Sequence, residues 1–142
     1  MAETIAGRPG WAVHTTAKPY QQLIRDVIAA TKAQGLAVVT KAGPTKAAAA
    51  RGITIPGNRV IGIFNNKYAV RVLRTSTAAM IEAPIRLYVT EDPGGRATLS
   101  YKTATYVFAP YLGEGGTELA VIASELDQHL DAIAQIAARS AP

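Results

Sequence analysis

At 142 residues the chain has the length of one domain, and 49% hydrophobic with 18% charged residues exclude wholesale disorder. Cysteine is absent, which excludes disulfides, zinc–thiolate sites and a cysteine nucleophile together. The formal charge of +5 is polarised along the chain: Lys32 to Arg86 holds nine basic residues against Glu82 alone, whereas acids outnumber bases beyond Leu87, a pattern that suits anionic partners or self-association but is more simply met by segments that interleave in the fold.

In chain order, residues 1–9 read as a flexible lead, and a single domain is expected over 10–142. Trp11 to Thr15 alternates as a first strand. Thr15 or Thr16 is the expected cap of a helix in which Leu23, Val27 and Ala30 recur at helical spacing, with Ile24, Ile28 and Thr31 beside them. Gly35 ends that helix, because the left-handed turn costs glycine least. Leu36 to Thr40 has the β-branched density of a buried strand, which Gly43-Pro44 breaks. The alanine-rich Thr45 to Arg51 predicts a short, loosely held helix with little area to bury.

Arg59 to Phe64 is the third predicted strand, and Asn65 or Asn66 caps a helix reaching about Ser76. A hairpin follows. Ile85, Leu87 and Val89 share one face with Ala97 and Leu99 across the turn Asp92-Pro93-Gly94-Gly95. Gly113 to Gly116 reads as a hinge with Thr117 as the cap of the last helix, where Leu119, Ile122, Leu126, His129 or Leu130, Ile133 and Ile136 recur every three or four positions. No apolar run approaches the roughly 20 residues that a membrane-spanning helix needs, and no secretory h-region stands at the start. A cytoplasmic location is expected, with export and removal of a signal as the alternative.

The run RVIGIFNNKYAVRVL followed by APIRLYVTEDPGGRATLSY resembles the domain of unknown function 302 family. Gly62, Asn65, Ala69, Pro84, Glu91-Asp92 and Pro93-Gly94-Gly95 carry the likeness, which extends from about Trp11 to Ile136. Asn66 stands where many relatives have proline, and Phe64 and Ile85 stand where a subset has cysteine, so any thiol chemistry of those relatives is closed to this chain. The resemblance also implies a dimer.

Among polar candidates, Lys67, Arg71 and Arg74 lie on one face of the predicted third helix, beside the capped N-terminus at Asn65. Tyr101, Tyr106, Phe108 and Tyr111 gather in the link before the last helix, where they can line a pocket or simply cover the core. The expected ligand-binding set is therefore Asn65, Lys67, Arg71, Arg74, Tyr106 and Tyr111. His14 and His129 show no metal-ligand spacing, and no cofactor or metal is expected. Ser76, Ser100, Ser124 and Ser140 lie in no nucleophile motif, and no catalytic set emerges. Tyr68 is the main aromatic residue within the basic region, and no nucleic-acid-binding motif is present.

The element order β-α-β-β-α-β-β-α implies an α+β two-layer sandwich, a mostly antiparallel five-stranded sheet covered by helices. Strands as apolar as IGIF and IRLYV argue that the second sheet face is hidden by a homodimer. The expected function is binding of a small anionic or amphipathic ligand. The alternatives are an enzyme whose site assembles only in the fold, from His14 or His129 with Tyr106, and a basic dimer that associates with nucleic acid.

Overall fold

The computed structural model describes residues 3–139, so Ser140 lies outside the described residues. Five strands, β1 (Trp11–Pro19), β2 (Ala37–Ala42), β3 (Asn58–Phe64), β4 (Ile85–Glu91) and β5 (Arg96–Lys102), form one sheet in the order β1-β5-β4-β3-β2. Every pairing is antiparallel. Five helices accompany it: α1 (Tyr20–Ala33), α2 (Thr45–Ala50), α3 (Asn66–Thr75), α4 (Ala104–Phe108) and α5 (Leu112–Ala138). A 3-10 turn (Ala78–Glu82) joins α3 to β4. This is the α+β architecture expected from the order of elements.

The period of two decides the core. Ile61 lies opposite Leu87, Ile63 opposite Ile85, Leu87 opposite Tyr101 and Val89 opposite Leu99, so these residues share one face and all are buried. Helix α1 packs on that face against β4 and β5, and α5 packs against α1, α3 and β1. Leu23, Val27, Leu119, Ile122, Leu126, Leu130 and Ile133 complete the cluster. Ile61 and Ile63 of IGIF and Ile85, Leu87 and Val89 of IRLYV thus face the helices, and the open face carries the alternates Gly62, Arg86 and Tyr88. Alternation has turned these five side chains inward, so they leave no bare apolar surface of their own on the open face.

Three local expectations are corrected. Neither Thr15 nor Thr16 caps α1: β1 runs on to Pro19, which precedes the helix without a side-chain cap, and Thr16 Oγ1 donates to the Ala97 carbonyl at 2.7 Å. Proline there suits a chain turning from strand to helix, since it has no N–H to satisfy. Strand β2 is an edge and mostly exposed, so its β-branched residues stand at the rim of the sheet. Residues Gly113 to Gly115 are helical, and the hinge narrows to Gly116, whose φ of 60° and ψ of −152° break α5.

Other local signals match the structure. Gly35 ends α1 with φ 76°, and α2 buries no residue. The Asn65 side chain accepts the Tyr68 N–H at 2.8 Å. An Asn65→Ala variant is expected to lose about 1 kcal/mol, read as a lower urea midpoint with an unchanged m-value.

Candidate functional site

Along β4 the side chains that do not enter the core are Arg86, Tyr88 and Thr90. They form a column on the open face, with Gly62, Val60 and Asn58 opposite them on β3. On the other side, Tyr88 faces Ser100 of β5, and Trp11 of β1 faces Lys102 of β5. Trp11, Lys102, Arg86, Tyr88, Val60 and Asn58 line a cleft of about 270 Å³, closed at one end by Glu82 of the 3-10 turn and Val107 of α4.

The cleft combines flat apolar walls with unbalanced charge. Lys102 Nζ stands 5.9 Å from the centre of the Trp11 ring, and the Arg8 guanidinium stands 5.1 Å from it. Among the described residues no carboxylate lies within ion-pairing distance of Arg86 or Lys102. Glu82 is the acid in the lining, and one of its oxygens already accepts the Tyr111 hydroxyl at 2.6 Å. That hydrogen bond, with some burial, raises the Tyr111 pKa and keeps the phenol a donor. The Asn58 amide donates to the Tyr88 hydroxyl, which orients the ring along the cleft wall. Tyr101 also borders the cleft, and its phenol is pushed up to about 12 by burial, with Asp131 and Asp127 nearby.

The sequence-derived set is not gathered in this cleft. Asn65 serves as the α3 cap and borders a separate groove beside Phe64, Met80 and Pro84. Lys67 and Arg74 are exposed on α3. Arg71 is engaged: its two terminal nitrogens lie 3.0 and 2.8 Å from the Glu125 carboxylate, and one of them lies 3.3 Å from Glu118. The basic middle and the acidic last third of the chain therefore meet between α3 and α5. Tyr106 is half exposed and packs against Gly10, where an added Cβ would strike its ring. Tyr111 holds Glu82 at the cleft end. His14 stacks on Tyr101 and His129 packs edge-on against Tyr68 with Gln34 at 3.0 Å, so each histidine has partners other than Tyr106. Among the described residues, no group of three or more histidines and acids gathers in metal-binding geometry, and no helix is long and apolar enough to cross a membrane.

Arg86 and Tyr88 were accessible to sequence reasoning through one signal. If Ile85, Leu87 and Val89 point inward, the residues between them must point outward, and an outward Arg-x-Tyr on a central strand marks a site more sharply than a basic helix does.

The ion pair on α3 has a measurable consequence. Arg71's hydrogen bond holds the Glu125 carboxyl below its ordinary value, with partial desolvation opposing it. A depressed folded-state pKa gives stability that is present above the unfolded value of about 4.3 and is lost as pH falls through the folded value. A Glu125→Gln variant is expected to show a flatter fall in urea midpoint than the parent between about pH 5 and pH 3. Parallel curves would remove this pair from the acid response.

Compared with known families, residues 11–137 match the one described as domain of unknown function DUF302. The chain belongs to the DUF302 family. A solved structure described as the crystal structure of uncharacterized conserved protein DUF302 from Bacillus stearothermophilus is similar to it at 16% identity. It has a TM-score of 0.79, and the match covers 93% of this chain and 100% of that one. No curated protein matches. Two of the resembling positions lie together in this fold: a Cβ on Gly62 would come within 2.8 Å of Pro84 Cγ. In this DUF302 protein Phe64 and Ile85 are buried and belong to the core cluster.

Proposed function

We propose that this DUF302 protein is a binding protein for a small anionic, amphipathic molecule, held in the open-face cleft rather than on the α3 surface. The observation that carries the reading is the pair Arg86 and Lys102, both without ion-pair partners among the described residues, beside the Trp11 and Tyr88 rings. An unpaired cation beside an apolar wall favours a ligand with an acid head and a flat or aliphatic body. The hydrogen-bonded Tyr88 ring and the central strands that carry these groups support a site formed before the ligand arrives.

A thermal-shift screen with benzoate, phenylphosphate, hexanoate and their uncharged amide or alcohol counterparts tests this. A rise in melting temperature with the acids, absent with the neutral counterparts and reduced by salt, is the expected result. Equal shifts with acids and neutral analogues, or none with either, would refute it.

Self-pairing is a further part of the proposal. It is supported by the exposed edge strand β2, where Val39 is 56% exposed. Sedimentation at increasing concentration checks it, and a protomer mass throughout would remove it.

A further inference from the structure

The cleft does not end at Tyr88. Asn58 and Tyr88 also border a second hollow of about 320 Å³, whose other walls are Ile5, Pro44, Ile55 and Pro56, with Thr90, Glu91 and Glu3 at its polar side. The N-terminal segment thus forms one wall of the open face. The two hollows follow the outward column of β4, Arg86 and Tyr88 in the first, Tyr88 and Thr90 in the second. At ~3.4 Å per strand residue, Arg86 and Thr90 are about 14 Å apart along the strand.

The ends of this groove differ in chemistry. The first hollow carries Arg86 and Lys102 against Glu82, whereas the second carries Glu3 and Glu91 and no basic residue. One Glu91 oxygen accepts the Gly57 N–H at 2.8 Å, and no cation lies within ion-pairing distance of Glu3 or Glu91 among the described residues. Thr90, only 6% exposed, lies on the open-face side of β4, and its shielded hydroxyl has no protein hydrogen-bond partner. Buried hydroxyls are normally satisfied, so this one, on a residue that lines the second hollow, leaves hydrogen-bonding capacity open to another molecule.

We infer that the ligand is an elongated zwitterion, with its acid at Arg86 and Lys102, its chain crossing Tyr88, and its ammonium or other donor at Thr90 and Glu3. This rests on the proposed binding role and extends it to ligand length and to the second end. The proline and isoleucine walls suit methylenes between the two charges. A molecule with one charge fills the first hollow and leaves Thr90 unpaired.

Titration calorimetry with decanoate, ω-aminodecanoate and ω-aminohexanoate separates the possibilities. The ω-aminodecanoate is expected to bind about tenfold more tightly than decanoate, the effect of one added charge-assisted hydrogen bond, and the shorter amino acid, unable to reach Thr90 from the acid end, is expected to bind no more tightly than decanoate. Thr90→Val with Glu3→Gln should abolish the tenfold difference. Glu3→Gln alone, at an exposed position, serves if the double variant fails to fold, and is expected to reduce the difference. Equal binding of decanoate and ω-aminodecanoate, or a difference that survives these substitutions, would overturn the inference while leaving the acid-binding cleft standing. Failure of all three probes, together with failure of benzoate in the screen, would overturn both.

Discussion

An Arg86→Ala, Lys102→Ala double variant is expected to lose about a hundredfold or more in affinity for the small acids that stabilise the parent protein. Each substitution removes one charge-assisted contact to an acid head, and such contacts contribute about 1.5–3 kcal/mol each, so two together reach or exceed a factor of 100. The fold itself should be little affected. Arg86 is exposed and neither residue has an ion pair among the described residues, so no buried partner is left uncompensated. The measurement is calorimetric titration with the acids that raise the melting temperature, alongside a melt of each apoprotein. Affinity unchanged within threefold, with melts that coincide, would place the acid elsewhere on the molecule. The α3 alternative then has its own probe: Lys67→Ala with Arg74→Ala, which is expected to leave affinity unchanged if the cleft is the site.

Replacing Gly62 by valine is expected to cost about 3 kcal/mol and to lower the melting temperature by about 10 °C. Gly62 sits in β3 between edge strand β2 and central strand β4, facing away from the helices. An added Cβ would meet the Thr40 hydroxyl at less than any real contact distance, and Pro84 Cγ at 2.8 Å. Pro84 lies over this position at the start of β4, so a side chain must displace either the proline or the edge strand. Overpacking of this sort costs ~1–3 kcal/mol, and the two γ-methyls of valine place it at the upper end. Gly113→Ala is the matched control. That glycine is helical and has nothing within 4 Å of an added Cβ, so alanine there is expected to be neutral or to stabilise by up to about 1 kcal/mol. A Gly62→Val protein that melts with the parent would show that β2 can move outward freely.

Most of the fold was legible in the chain because its signals are local or periodic. Gly35 and Asn65 act within one turn of their helices, and alternation across Ile85, Leu87 and Val89 names the inward face whatever lies above it. The errors fall where a local preference met a tertiary contact. Thr16 has the chemistry of a helix cap, but β5 offered it the Ala97 carbonyl and the strand continued. Leu36 to Thr40 has the composition of a buried strand, but only the order β1-β5-β4-β3-β2 says that it ends up at an edge. Arg71 has the spacing of an exposed basic face, and its fate depended on Glu118 and Glu125, which arrive on α5 from the far end of the chain.

The amino-acid sequence by itself determined the class of fold, the inward set of each central strand and the absence of thiol chemistry, because each of these depends on residue type and on spacings of a few positions. Tertiary structure alone decided which cations are neutralised and which are free. It set Arg71 against two carboxylates and brought Trp11 of β1 to one cleft with Arg86 and Lys102 of the distant β4–β5 hairpin. Coulomb attraction and hydrogen bonding act over a few ångströms in space, whatever the number of residues between the partners, and that distance is written only in the folded chain.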